Sequence, residues 1–464
     1  MEIERKTARK PLPERFSGLT CYQLNLRSFT PEGTLEAAEK KLDYIKNAGI
    51  DIIYLCPITL EDDNDNESAW SERQKASGLK NPKNPYRVKD YFNVDPEYGD
   101  IGSFTEFVQS AHGKGMFVIL DLVYTHCGPS CKIVSDYTNF VKKDENGNIL
   151  GNTYHFPVLN YDNAAVRSYV IANMKFWLSL GADGFRLDYA DGIPSDFWQQ
   201  AANELKTEFA DALIIFEGND PPEGFADFRY GFSEQYFLYA ILNGDFSADK
   251  FGQAVYSDRS SKNGTPFLRY IDNHDIITDG MPLHCGDGEK TYPRVKINAH
   301  FTDDRIMAAH AIIETLDGLP MIYTGYDCGS RAPQSLFANR FYGDMHVDVN
   351  AINTTRGKSH YDWLKTLCSL RKSVPALADG ETENVGCGGE RGQIVKYDRI
   401  IRPENDDPKL ARGGSPCVRV FVNVSESEEF LADFGKVKIL ASRLTSKTEN
   451  GFLFDPFGVL IAEL

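Results

Sequence analysis

The 464-residue chain has no long apolar run, and a membrane helix needs about 20 such residues in a row. Its start, Met1-Glu-Ile-Glu-Arg-Lys-Thr-Ala-Arg-Lys10, is charged and has no apolar stretch behind it, so neither a signal peptide nor a membrane span is expected. Positive charge is in deficit. The net charge of −17 argues against nucleic acid, anionic membrane or a polyanion as partner, and suits a neutral substrate. Paired cysteine spacing is also missing. The nine Cys are odd in number and scattered, and Cys127 and Cys131 flank Gly-Pro-Ser rather than the two residues of a redox or zinc motif. Free thiols and a reducing, cytoplasmic compartment follow as expectations. No short repeat is visible.

What is present is an alternation of buried strands and amphipathic helices. Leu19–Leu26 reads as a strand. Residues 34–47 carry Leu35, Ala38, Leu42 and Ile45 at helical spacing, with Thr34 as N-cap and Gly49 as stop. Ile50–Cys56 is the next strand, and residues 60–90 read as a long polar loop. A helix over 102–113, a strand over 116–123, a loop of about 35 residues, a helix over 163–180 and a strand over 184–188 follow. Further strands are expected at 212–216, near 225–230, at 266–271 and at 319–324, with helices at 197–209, 305–317, around 336 and over 358–372. Eight strands alternating with helices predict a (β/α)8 TIM barrel over residues 1–380, with a short inserted domain over about 127–160. From 381 to 464 the pattern becomes alternating and non-helical, predicting a small C-terminal antiparallel β-sandwich, joined through a linker at Pro375–Gly380.

In such a barrel, chemistry sits at the carboxyl ends of the strands. Gly184-Phe-Arg-Leu-Asp188 puts Arg186 and Asp188 on one face of one strand end, a cation beside a carboxylate. Alone, that pair is more often a structural ion pair. Here Asp121 and His126, Glu217, and His274 with Asp275 end other strands of the same rim. Two carboxyls flanking one bond can cleave a glycosidic linkage, one as nucleophile and one as proton donor. The expectation is that Arg186 keeps Asp188 ionised as nucleophile, while negative neighbours raise Glu217 as acid/base. Asp275 would bind sugar hydroxyls and favour a positive transition state. Tyr86, Tyr124, Phe156, Tyr189 and Tyr326 fall near strand ends or the long loop and could face sugar rings.

These stretches resemble the α-amylase family of retaining glycoside hydrolases and transglycosidases. Asp121-Leu-Val-Tyr-Thr-His126, Gly184–Asp188, Phe216-Glu217 and Asp272-Asn-His-Asp275 are similar to its four motifs, in order. Tyr86–Gly99 and Leu159–Asn163 resemble two further segments. The resemblance implies Asp188, Glu217 and Asp275 as catalytic, and Tyr86, Asp121, His126, Arg186 and His274 as substrate-binding. It implies an α-glucoside or maltooligosaccharide as partner, with hydrolysis by way of a glycosyl-Asp intermediate. Transfer (glucanotransferase, maltosyltransferase or phosphorylase type) uses the same residues, and a non-catalytic carbohydrate-binding relative is the third reading. Two positions depart from the family. Thr125 stands where Asn is usual, and Asp191-Gly192 where Lys-His is frequent. In many members that Asn and that His carbonyl help to hold calcium. A hydroxyl is a poorer calcium ligand, so no metal and no cofactor is expected.

Overall fold

The computed structural model describes residues 16–137, 139–256, 264–286, 292–402 and 416–464; the charged start over 1–10 lies outside them. Eight parallel strands close into a barrel: β1 (Cys21–Leu24), β2 (Ile52–Leu55), β3 (Phe117–Leu122), β4 (Gly184–Leu187), β5 (Leu213–Phe216), β6 (Phe228–Tyr230), β7 (Phe267–Arg269) and β8 (Leu319–Tyr323). Each pairs with the next, and β8 pairs with β1. The strands are apolar on both faces because both are covered. Cys21, Ile52, Ile119, Ile215, Phe228 and Met321 fill the interior, while Leu24, Ile53, Val118, Phe185 and Leu187 pack outward against helices.

The helix expected over 34–47 is broken. Leu35–Glu39 and Leu42–Asn47 are separate, with a tight turn from the Lys41 N–H to the Ala38 carbonyl between them. The break keeps Leu35, Ala38, Leu42 and Ile45 all on the barrel. Thr34 caps the first piece as expected, accepting from the Ala37 N–H. Gly49 takes a positive φ of 98°, and a Cβ there would lie 2.5 Å from the Cys368 Cβ. No helix forms around 336. There Gln334 spends its side chain on the Thr324 carbonyl and the Ser28 hydroxyl, tying an extended segment to the barrel end. The helix Phe232–Asn243 was not foreseen, because it is apolar nearly all round and shows no amphipathic stripe.

Residues 59–94 are not a loop. Thr59–Glu61 pairs antiparallel with Val88–Val94, and a short helix, Glu72–Ala76, lies between. Arg87 holds this insertion from within, donating to the carbonyls of Asp62, Asn64, Ala69 and Pro82. The segment after β3 is a second, irregular insertion, with bridges from His126 to Val158 and from Val141 to Leu159.

The expected linker is a helical turn, Pro375–Asp379, with Ala376 and Leu377 buried. After it come β9 (Glu381–Gly388), β10 (Ile394–Ile400), β11 (Cys417–Asn423), β12 (Glu429–Ala432), β13 (Lys438–Lys447) and β14 (Gly451–Glu463), all in one antiparallel sheet. Strand β14 pairs with β11 along its second half and with β12 along its first. One face of this sheet carries a core of Ile394, Phe421, Phe452, Phe454 and Leu460. Its other face, with Val395, Tyr397, Val420 and Ile461, joins the barrel's outer core. All nine cysteines are free. Among the described residues no helix is long and apolar enough to cross a membrane.

Candidate active site

Strand register assembles half of the site. Asp121 on β3 is the direct partner of Arg186 on β4, and Leu187 is the partner of Phe216 on β5. The ladder runs one residue further, with the Asp188 N–H on the Leu122 carbonyl and the Glu217 N–H on the Leu187 carbonyl. Since Ile119 and Ile215 face inward, the residues two further on, Asp121 and Glu217, point inward too, as do Arg186 and Asp188.

Arg186 is fully buried and central. Its Nη1 donates to Asp121 Oδ1 at 2.7 Å and to Asp188 Oδ1 at 2.9 Å. Its Nη2 touches Glu217 Oε1 at 2.6 Å, but is not aligned for a hydrogen bond. The guanidinium also lies 5.3 Å from the Tyr230 ring centroid. Glu217 takes its aligned bond from the Tyr189 N–H, at 2.5 Å. Tyr189 delivers that N–H through a left-handed turn, φ 40°, just after Asp188.

The other half is built by side chains from distant segments. Asp121 Oδ2 accepts from Tyr54 and Tyr86 hydroxyls, at 2.8 and 2.7 Å, so both its oxygens are engaged beneath the site. The Tyr86 ring stacks on His274, centroids 5.3 Å apart, and its hydroxyl lies 2.8 Å from His274 Nε2. The Gln23 amide donates to His274 Nδ1 at 2.6 Å, while Gln23 Oε1 accepts the His274 N–H at 3.2 Å. That network assigns the ring proton to Nε2, which lies 3.1 Å from Asp275 Oδ2. Asn273 caps the short helix His274–Asp279 and so fixes the Asp275 backbone. The second oxygen, Asp275 Oδ1, accepts from Arg73 Nη1 at 2.7 Å.

The electrostatics differ from the expectation in one respect. Burial pushes both Asp188 and Glu217 up, and Arg186 opposes this at each of them. Arg186 does not single out Asp188 by charge, because three acids share it. The carboxyl held most firmly ionised is Asp275, where the desolvation of burial is outweighed by His274 and Arg73. What separates Asp188 from Glu217 is alignment. Asp188 accepts its aligned hydrogen bond from the guanidinium, whereas Glu217 accepts its own from the Tyr189 N–H.

All the expected residues except His126 meet at this rim. His126 is turned away, its Nε2 on the Tyr86 carbonyl at 2.8 Å and its Nδ1 on the Thr125 hydroxyl at 2.9 Å. Burial holds its pKa down to about 4, so it is neutral and supports Tyr86 from behind. Of the aromatic candidates, Tyr124 and Tyr326 are buried on Asn173 and Asp272, Phe156 packs beside His126, and Tyr189 is 64% exposed at the rim. Gln23, Tyr54 and Arg73 were not foreseen. Gln23 had a signal, being one polar residue inside the apolar run Cys21–Leu24 and fully buried. Arg73 had none, lying among many charges.

The two departures from the family lie near each other. A Cβ on Gly192 would lie 3.1 Å from the Thr125 methyl and 2.8 Å from the Tyr189 ring. The Thr125 hydroxyl faces His126, and its carbonyl accepts the Leu159 N–H. Among the described residues no cluster of three or more His, Cys, Asp and Glu could hold a metal ion. Asp191 accepts the Asn219 N–H at 2.7 Å and ties down the segment after Glu217. Beside it opens a cleft of about 410 Å³, lined by Lys142, Asp191–Ser195, Trp198 and Asp220.

A parallel barrel that gathers carboxyls around one buried arginine at its carboxyl rim has the layout of a barrel glycosidase. The comparison with known families agrees. The model of the alpha amylase catalytic domain matches residues 12–148 and 149–341, and the chain belongs to that family. Over 208 residues it is 36% identical to a malto-oligosyltrehalose trehalohydrolase of Rhizobium sp. (strain M-11), which is 44% of this chain but 31% of that protein. It is 26% identical to alpha-amylase 3 of Dictyoglomus thermophilum, over 96% of this chain and 92% of that one. The solved structure of a maltogenic alpha-amylase from Thermotoga neapolitana superposes with a TM-score of 0.74 at 20% identity, covering 96% and 99% of the two chains, and supports the fold.

Proposed function

We propose that this protein cleaves α-glucosidic bonds of small α-glucosides or maltooligosaccharides by double displacement with retention. Asp188 attacks the anomeric carbon and forms a glycosyl ester. Glu217 protonates the leaving oxygen, then takes a proton from the incoming water or sugar hydroxyl. Asp275 and His274 hold sugar hydroxyls, and Tyr86 lies under the ring. Asp121 and His126 act as positioning residues through Arg186 and Tyr86.

The observation that carries this reading is the single guanidinium of Arg186 in contact with Asp121, Asp188 and Glu217. One side chain spanning both reacting carboxyls favours the short spacing of retaining enzymes, about 5 Å, over the roughly 6.5–9.5 Å that leaves room for a water. The named activities of the two relatives support an α-glucan-type substrate. Release of sugar to water or to a second sugar depends on the acceptor side of Glu217, and product analysis with one labelled maltooligosaccharide separates the two. The free thiols support a reducing, cytoplasmic setting. The Thr125 hydroxyl, a poor calcium ligand engaged with His126, supports a fold that needs no calcium at that position, so a chelator should leave the Tm unchanged.

The test is a panel of maltose, maltooligosaccharides, sucrose and trehalose, followed by trapping. In Glu217→Gln supplied with an α-glucosyl fluoride, a covalent glucosyl adduct should appear on the peptide carrying Asp188. An adduct elsewhere, or turnover that survives Asp188→Asn, would sink the reading.

A further inference from the structure

The two flanks of the site are built differently. On the Glu217 side the carboxyl is held by Arg186 and the Tyr189 N–H. Beyond Asp275 stands Arg73, about 200 residues away in sequence, carried by the Glu72–Ala76 helix of the first insertion. Its Nη1 donates to Asp275 Oδ1 at 2.7 Å and its Nε to Asp279 Oδ1 at 2.8 Å. Those carboxylates sit four residues apart on one face of the His274–Asp279 helix. The guanidinium lies 5.8 Å from the Phe337 ring centroid, and the side chain is only 21% exposed.

The support behind Arg73 is rigid. Ser71 caps its helix, Gln74 donates to the carbonyls of Asn81 and Pro82, and Asn81 donates to those of Phe337 and Ala338. Trp70 donates to the Asn64 carbonyl. With Arg87 at the centre, the insertion is a fixed wall rather than a free flap.

In the reading proposed above, on which this inference rests, Glu217 stands at the leaving group. The departing or accepting sugar therefore lies on the Glu217 side, and the far end of the bound sugar lies toward Asp275 and Arg73. We propose that Arg73 is a specificity-determining residue that closes the glycone side of the site. The pocket then holds one terminal glucosyl unit at the non-reducing end, and a chain continuing past it would have to break the Arg73–Asp275–Asp279 bridge. The enzyme is thus exo-acting.

The test compares a maltooligosaccharide with its counterpart blocked at the non-reducing end. The wild-type protein should act on the free-ended chain, release glucose first, and leave the blocked chain intact. Arg73→Ala should raise the rate on the blocked chain relative to the free one by roughly tenfold or more. Arg73→Lys, which keeps the charge, should remain close to wild type in that ratio. Equal cleavage of both chains by the wild type would overturn the proposal while leaving α-glucosidase chemistry standing, and this arm needs no variant to fold. An unchanged ratio in an Arg73→Ala protein that melts like the wild type would overturn it as well. If no α-glucoside is turned over and Asp188→Asn behaves like the wild type, the underlying reading falls and this one with it.

Discussion

The β4–β5 flank and the Asp275 flank of the rim carry similar acids by opposite means. On the first, strand register does the work. Asp121, Arg186, Asp188 and Glu217 are neighbours because their strands are, and one guanidinium is divided among three carboxyls. On the second, β7 ends at Arg269, well before Asp275, and the acid is placed by a capped helix and by side chains from β1 and the first insertion. On the second flank Arg73 serves two carboxyls rather than three and the His274 ring adds a hydrogen-bond contact. Asp275 is therefore held ionised, while Asp188 and Glu217 are pushed up by burial. Charge that is divided leaves a proton available for transfer, and charge that is concentrated fixes a permanent anion.

The sharpest way to break this comparison is to remove the divided charge. With Asp188 as the proposed nucleophile, Asp188→Asn should lower kcat by at least about 10³-fold. The same substitution should raise the Tm at neutral pH. A carboxyl raised by burial contributes stability below its unfolded pKa and loses it as pH rises through the folded one, and Asn mimics the protonated form. Thermal melts over pH 4–9 should show the gain growing with pH.

Asp275→Asn should show the reverse sign. A depressed carboxyl contributes stability above its unfolded pKa and loses it as pH falls through the folded one. The variant should therefore melt below the wild type at neutral pH and approach it in acid. Because the Asp275 side chain is 39% exposed, the Tm change should be modest while kcat falls by roughly 10²-fold. If the two variants shift the Tm in the same direction, the contrast between the flanks is wrong.

Gln23→Leu sharpens the second flank. It removes the donor to His274 Nδ1 and frees the ring to change tautomer. kcat should fall about tenfold with KM rising, and Gln23→Glu should shift the pH profile as well, because a carboxylate at that position favours imidazolium.

The same contrast explains what the sequence disclosed. Apolar runs such as Ile50–Cys56 and a polar pair such as Arg186–Asp188 report local geometry, so the barrel order and the first flank were legible. The break at Lys40–Lys41 was not, because the turn keeps the same apolar residues on the barrel and leaves the spacing intact. The helix Phe232–Asn243 was hidden by burial on all sides. Residues 60–90 read as a loop because their order comes from Arg87 bonding backbone carbonyls, and carbonyls carry no sequence signature. Arg73 was invisible for a different reason, since its carboxylate partners lie about 200 residues away. The division of Arg186 among three acids could be placed by register but not weighed, which is why its pull on Asp188 alone was overestimated.

The most direct test of the account is the anomeric configuration of the first sugar released, followed by proton NMR within the first turnovers. Nucleophilic attack by Asp188 with Glu217 as acid/base predicts the α-anomer, appearing before mutarotation. Initial release of the β-anomer would mean direct attack by water, and would contradict the roles assigned to both residues.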